Sequence, residues 1–285
     1  MSKYIKSPLN YTGGKYKILG DILPCFPENI GTFVDLFGGG FNVGVNVGAD
    51  KIIYNDHNLF LSHMFEYFKQ NGLKVIDDIY SRIEKYDLSE ENAEGYLELR
   101  KNYNENKDIL DLFVLTCYSF NHQIRFNSRH EFNTPFGKNR SAYNKTIEEN
   151  LTNFINSLQS KNIEFYSKDF TFLYDLDLGE NDFVYCDPPY LISNASYNDG
   201  KRGFKNWGVN EETQLLELLD YLNTKGVKFA LSNVLTHKGM KNDILIKWSK
   251  KYNIKYIEKT YNNSSYQRKN KDKETREVLI CNYKP

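Results

Sequence analysis

The stretch Thr32 to Asp56, TFVDLFGGGFNVGVNVGADKIIYND, decides the reading of the fold. Thr32 to Phe37 is short, apolar and β-rich, and it runs into Gly38, Gly39 and Gly40. Lys51 to Tyr54 is a second such run, ending in Asn55 and Asp56. Strand, glycine turn, helix, strand and acid is the grammar of a nucleotide-binding βαβ unit. The glycines let the backbone turn tightly and approach a ligand, and an acid about 20 residues further on hydrogen-bonds ribose hydroxyls. Asp56 stands at that place, and Asp35 at the first strand's end suits a cationic amino-acid moiety. The glycine run is not GxGxxG, and Gly13, Gly14, Lys15 followed by Tyr16 is not a P-loop, which needs Ser or Thr after Lys. Alone, the glycine run reads equally well as a plain turn.

Upstream, Tyr16 to about Leu23 predicts a helix with Ile18, Leu19, Ile22 and Leu23 apolar, halted by Pro24 and Pro27. Downstream, Leu59 to Asn121 is helical in period and free of proline. Strand signals return at Ile163 to Tyr166 and Asp182 to Cys186. A helix follows from Asn210 as N-cap to Asn223, with Gly226 past its end, then a strand from Val227 to Leu231. Lys255 to Tyr261 and Glu277 to Tyr283 are expected to pair as a hairpin around the basic loop Asn262 to Arg276. The sum is an α/β fold, a mostly parallel sheet with helices on both faces, interrupted after its second strand. Residues 1–58 and 141–285 make the core and 59–140 an inserted helical module.

The 285 residues, 33.4 kDa, suffice for one or two domains, and 40% hydrophobic with 26% charged is ordinary for a globular chain. No apolar run approaches the roughly 20 residues of a membrane helix, and Met1 to Leu9 lacks a signal peptide's apolar stretch, which points to the cytoplasm. Cys25, Cys117, Cys186 and Cys281 are single and fit neither a zinc site nor a disulfide scaffold. Formal net charge is zero, but it is segregated. Asp77 to Asp111 holds eleven acidic and five basic side chains, Asn121 to Lys145 five basic and one acidic, and Lys247 to Arg276 ten and three. An acidic run is usually a solvated face, whereas a basic one matters to a phosphate-bearing partner once a motif falls inside it. The 29 Lys against 8 Arg fit an AT-rich bacterial or phage genome.

The sharpest chemical signal is Asp187, Pro188, Pro189 and Tyr190, directly after the strand ending in Cys186. From this chain's usage of these residues, the string has a chance on the order of one in a thousand of arising anywhere. Ligands of open α/β sheets bind beyond the carboxyl ends of strands, where this tetrapeptide falls. An aromatic exocyclic amine has its lone pair delocalised into the ring and is a poor nucleophile until drawn towards tetrahedral geometry. The Asp187 carboxylate and the Pro188 carbonyl can each accept one amino hydrogen, and two prolines fix the direction of that carbonyl. Tyr190 offers a face on which a base can stack.

In these residues the chain resembles the DNA adenine methylase family. Four blocks match in family order over most of the chain: Leu9 to Lys15 (LNYTGGK), the glycine block, Arg125 to Gly137 (RFNSRHEFNTPFG), and Asp187 to Tyr190. The resemblance implies a Rossmann-like methyltransferase core with an inserted, mostly helical target-recognition domain. It implies methyl transfer from S-adenosylmethionine, without a metal, to the N6 amino group of a flipped adenine in a short site of double-stranded DNA. It places Tyr11, Lys15, Asp56 and Asp187 against the cofactor, with Gly13, Gly14, Asp35, Phe37 and Gly39 completing that set, and gives its adenine to Asp169 and Phe170. A cognate restriction endonuclease acting on the same sequence, without a stable complex, fits the same reading.

Two positions depart from the family. Phe41 stands where its glycine block commonly has a second glycine, which predicts a differently shaped methionine end of the pocket. Gln123 replaces an apolar residue of GATC enzymes, which predicts another target. The segment has its own physics, since it lies in the first basic stripe. Arg125 suits a bidentate pair with guanine, Gln123 one with adenine, and Phe120 a wedge between bases. Arg129, Lys138 and Arg140 read as phosphate contacts, and Asn121, Asn127, Asn133 and Pro135 complete the DNA-facing set. His122 and His130 are given no catalytic role. The same tetrapeptide chemistry would serve cytosine N4 or RNA adenine, and a catalytically silent DNA-binding regulator is the reading of a different class.

Overall fold

A computed structural model describes residues 3–192, 207–257 and 276–285. The apolar runs become β1 (Thr32–Asp35), β2 (Lys51–Asn55), β3 (Ile163–Tyr166), β4 (Phe183–Cys186) and β5 (Lys228–His237), followed by β6 (Met240–Lys241), β7 (Asn253–Ile257) and β8 (Arg276–Cys281). Their order across the sheet is β3-β2-β1-β4-β5-β8-β7, with β6 on β5. The first five of that row run parallel, and β8 is antiparallel to both neighbours. The chain moves outward from β1 through β2 to β3, then returns to lay β4 beside β1. This reversal is the switch point where an open α/β sheet leaves a crevice at its carboxyl ends.

Alternation along each strand feeds two separate apolar layers, as expected of strands buried on both faces. Phe33, Ile52, Tyr54, Phe183, Tyr185, Leu279 and Cys281 face one layer. Val34, Ile53, Val184, Cys186, Val278 and Ile280 face the other. The first layer is covered by α1 (Leu19–Ile22), α2 (Leu59–Asn71) and α6 (Lys145–Ser160), and it continues through α3 (Lys74–Lys85), α4 (Ala93–Asn106) and α5 (Ile109–Tyr118). The second is covered by α7 (Val209–Thr224), α8 (Asp243–Ser249) and the 3-10 turn Phe170–Asp175. Side-chain caps open four of the five helices between β2 and β3, all but α3: Asn58, Asn92, Asp108 and Asn144 each accept backbone N–H groups of the first turn. Arg82 Nε on Asp111 Oδ1 at 2.8 Å ties α3 to α5.

Four local expectations need correction. The segment expected as one helix from Tyr16 is a 3-10 turn, a four-residue α1 and a second 3-10 turn ending at Cys25, since Pro24 cannot continue the hydrogen-bond ladder. No α-helix joins β1 to β2, only the 3-10 turn Gly44–Asn46. The N-cap of α7 is Gly208 rather than Asn210, because Glu211 Oε2 reaches back to the Gly208 N–H at 2.9 Å. β5 continues beyond Leu231 to His237, paired with β8. The terminal hairpin pairs Asn253–Ile257 with Arg276–Cys281, and its expected loop lies outside the described residues, as does most of the second basic stripe.

Candidate active site

The glycine turn after β1 is shaped by close approach. Gly38 N–H donates to Asn55 O at 2.8 Å and Tyr54 OH to Gly39 O at 2.9 Å, and a Cβ on Gly38 would lie 2.3 Å from the Tyr54 ring. Gly39 has φ +48° and faces the Tyr11 ring. Asp56 holds this turn: its Oδ2 accepts the Gly39 N–H at 2.9 Å and its Oδ1 the Asn58 N–H at 2.8 Å. Burial pushes the Asp56 carboxyl upward against both hydrogen bonds. Asp35 Oδ2 accepts the Gly44 N–H at 2.9 Å. Burial, aided by the charges of Asp187 and Asp56, lifts its carboxyl to about 7.

Phe41 occupies the left-handed region at φ +59°. Its ring lies in the core beside Tyr54 (4.9 Å between centroids), Phe65, Phe154 and Phe165. The missing second glycine is therefore absorbed by an aromatic cluster beneath the turn. Gly14 N–H donates to Tyr11 O at 3.2 Å, and Gly13, at φ +81°, lets the chain turn towards Lys15.

Lys15 meets the tetrapeptide Asp187 to Tyr190. Its Nζ lies 2.6 Å from Asp187 Oδ2 and 3.7 Å from Glu277 Oε1, donates to Gly13 O at 3.2 Å, and stands 5.2 Å from the Tyr190 ring centroid. Tyr190 OH lies 3.1 Å from Asp187 Oδ1 and 3.2 Å from Glu277 Oε1. The Asp187 side chain is 17% exposed, so its carboxylate is sheltered yet reachable. Burial raises its carboxyl above the ordinary range, opposed by Lys15. Pro188 is buried and Pro189 half-buried.

Beside this cluster three aromatic rings gather. Phe37 stands 5.9 Å from Phe170 and 5.4 Å from Trp207, and Phe170 stands 5.8 Å from Trp207. Asp169 caps the 3-10 turn, its Oδ1 accepting the Thr171 N–H and hydroxyl. Trp207 Nε1 donates to Glu212 Oε2 at 2.8 Å, and the Nδ2 atoms of Asn233 and Asn242 donate to Glu212 Oε1. Sequence reasoning missed Trp207, Glu212 and Glu277. The signal for Glu277 was a carboxylate at the head of the apolar run Val278 to Cys281, which must find partners once buried.

The recognition segment forms a ribbon bridged at Ser119–Phe136 and Phe126–Phe132, with Phe126 stacked on Phe60 at 4.5 Å. Asn121, Gln123, Arg125, Pro135, Lys138 and Arg140 are exposed. Arg125 donates from Nε and Nη2 to Asn133, at 2.9 and 2.8 Å, which uses two of its five N–H groups and fixes the guanidinium plane. Arg140 covers the Phe120 ring at 4.7 Å. Asn127 closes the turn, accepting the Arg129 and Glu131 N–H groups and donating to Glu131 Oε2, so its side chain is engaged within the ribbon. Arg129 is exposed and pairs with Glu131. Asn10 Nδ2 donates to Asn121 O at 3.1 Å, joining the ribbon to the segment that carries Tyr11 and Lys15.

The chain belongs to the family of D12 class N6 adenine-specific DNA methyltransferases, which it matches over residues 11–263. It is 51% identical over 283 residues to the type II methyltransferase M.FokI of Planomicrobium okeanokoites and 50% over 284 residues to the modification methylase StsI of Streptococcus sanguinis. Each match covers 99% of this chain and 43% of the relative, so the chain spans less than half the length of these relatives. The DNA adenine methylase of Escherichia coli K12 is 28% identical over 233 residues, 79% of either chain. Among the described residues no helix is long and apolar enough to cross a membrane, and no group of three or more His, Cys, Asp or Glu is placed to hold a metal ion.

Proposed function

We propose that the chain transfers a methyl group from S-adenosylmethionine to the N6 amino group of adenine in a short specific sequence of duplex DNA. The observation that carries this is the sheltered Asp187 carboxylate at the end of β4, held by Lys15 and Tyr190 and followed by two prolines. The residues present fit the cofactor. The glycine turn, packed so tightly that a Cβ on Gly38 would strike the Tyr54 ring, holds a fixed stretch of backbone at the carboxyl end of β1. Asp56 suits a ribose diol, Asp35 an α-ammonium, and the rings of Phe37, Phe170 and Trp207 an adenine. When bound, the cofactor supplies an electrophilic methyl group.

The protein's own part is to make the amine attack. Asp187 and the Pro188 carbonyl each accept an amino hydrogen, directing the nitrogen lone pair out of the base plane, and Asp187 takes the proton the methylated nitrogen sheds. Stacking against Tyr190 offsets part of the few kcal/mol that base flipping costs. Arg125, held flat by Asn133, reads guanine, Gln123 reads a neighbouring base, and Lys138, Arg140 and Arg129 neutralise phosphates. Residues 59–140 carry this recognition surface, with α2 shared with the sheet layer. Its names among relatives, type II and modification methylase, support work beside a restriction endonuclease on the same sequence in a bacterial cytoplasm.

Duplex DNA treated with methyl-labelled cofactor and digested to nucleosides should carry label in N6-methyladenine. Asp187→Ala should lose methyl transfer by about 100-fold or more while binding DNA as before, the scale of losing a transition-state acceptor. Label in N4-methylcytosine, or a variant keeping more than about a tenth of the rate, overturns the assignment.

A further inference from the structure

Glu277 opens an apolar run, Val278 to Cys281, that is fully buried, and its own side chain is only 2% exposed. Strand packing does not ask for a charge there. Replacing a buried ionic group with an apolar one of similar volume is often neutral or stabilising, so a buried carboxylate at this position calls for another reason. Its partners supply one. Glu277 Oε1 lies 3.2 Å from Tyr190 OH and 3.7 Å from Lys15 Nζ, and these are the same two groups that hold Asp187.

We propose that Glu277 is a positioning residue for methyl transfer: by sharing Lys15 and the Tyr190 hydroxyl with Asp187, it leaves the Asp187 carboxylate available to the target amino group. The inference rests on the reading of Asp187 as the acceptor of the amino hydrogen. Tyr190 has one hydroxyl hydrogen and two carboxylates within reach, so it donates to one at a time. When the target amine arrives at Asp187, the hydroxyl turns to Glu277 and no hydrogen bond is lost. Lys15 behaves likewise. Facing Asp187 alone, its ammonium would weaken the carboxylate as an acceptor, and a second carboxylate divides that charge. The charges facing Asp187 are Lys15 from the N-terminal segment, Asp35 from β1 and Glu277 from β8. Glu277 acts on Asp187 against Lys15, favouring the protonated carboxyl.

The test is the single-turnover rate of methyl transfer to duplex DNA at saturating cofactor, from about pH 5 to 9, for wild type, Glu277→Gln, Glu277→Asp and Asp187→Ala. Glu277→Gln should bind S-adenosylmethionine and DNA within about threefold of wild type, yet its plateau rate should fall about 10- to 100-fold. Loss of the Glu277 charge also lets Asp187 ionise more readily, so the acidic limb of the profile should move to lower pH. Glu277→Asp keeps the charge at a shorter reach and should restore the limb, at an intermediate rate. A plateau within about threefold of wild type overturns the proposal, as does a slowed plateau whose limb does not move and which Glu277→Asp fails to improve. If Glu277→Gln does not fold, a folded Glu277→Asp with wild-type rate overturns it and one slowed several-fold supports it. An active Asp187→Ala removes the reading of the site itself. An inactive one beside a wild-type-like Glu277→Gln removes only the role of Glu277.

Discussion

Asp35 ends β1 with one oxygen on the Gly44 N–H, and burial first, then the Asp187 and Asp56 charges, raise its affinity for a proton. A free aspartate releases its proton near pH 4, whereas this one holds it to about 7. The folded chain therefore binds more protons than the unfolded one between those values, and ionisation of Asp35 costs stability as pH rises through that window. A cofactor cation placed against it changes the balance in the opposite sense, because the ionised form attracts an ammonium. S-adenosylmethionine should bind more tightly at pH 8 than at pH 6, with proton release on binding, as calorimetry in buffers of different ionisation enthalpy would read. Asp35→Asn should flatten this dependence and weaken binding by about 1.5 to 3 kcal/mol at the upper pH, the scale of a charged hydrogen bond. PH-independent affinity in the wild type would remove Asp35 from the cofactor site. Asp35, Asp56 and Asp187 are legible in the sequence because each follows an apolar run at a strand's carboxyl end. Glu277 is only half legible: a carboxylate heading an apolar run says that it must find a partner, but entry from the amino end of an antiparallel strand hides that the partners lie in this crevice.

Among the elements, the glycine turn poses a question of opposing magnitudes. Phe41 at φ +59° bears a strain of about 1 to 2 kcal/mol that glycine would relieve. Losing a fully buried phenylalanine costs about 3 to 5 kcal/mol. Burial wins, so Phe41→Gly should lower stability by about 1 to 4 kcal/mol in denaturant unfolding despite restoring the family's glycine. A variant as stable as wild type would show that the aromatic cluster is not what holds the turn. The parallel strands are legible because burial on both faces demands unbroken apolar runs. Two helices escape the pattern reading. α8 is seven residues whose Ile244, Leu245 and Ile246 read as readily as strand, and α6 follows a polar, asparagine-rich stretch, although its Leu151, Phe154, Ile155 and Leu158 keep the helical period. The first turn of α7 shifts by two residues because a glutamate side chain, not an asparagine, closes it.

Across the molecule, zero net charge conceals a basic segment, Asn121 to Lys145 with five basic and one acidic side chains, which supports the proposed DNA partner. Arg125→Ala should cost about 1 to 3 kcal/mol on the cognate site and relax preference at one base pair. Lys138→Ala should weaken cognate and other DNA alike and reduce the salt slope by about one unit. Sequencing of a methylated random library should return a different motif for Gln123→Leu than for wild type, and identical motifs would mean that Gln123 reads no base. Which bases are read is not legible in the sequence, since the ribbon's orientation depends on contacts such as Phe126 on Phe60 and Asn10 on Asn121.

The same crevice that gathers Lys15, Asp187 and Glu277 also sets the order in which the molecule can be made. The sheet that forms it is held together by contacts distant in sequence: Thr32 N to Asp182 Oδ1 spans 150 residues, Tyr190 to Glu277 spans 87, and Tyr283 OH to Cys25 O spans 258. Non-local pairings of this kind slow folding, because chain entropy is lost before contacts repay it. On the ribosome, β1 waits for β4 to emerge, and β5 keeps an unpaired edge until β8 arrives. Holding such an edge open invites pairing with other chains. The arrangement around Asp187 is thus complete only once β8 has joined β5.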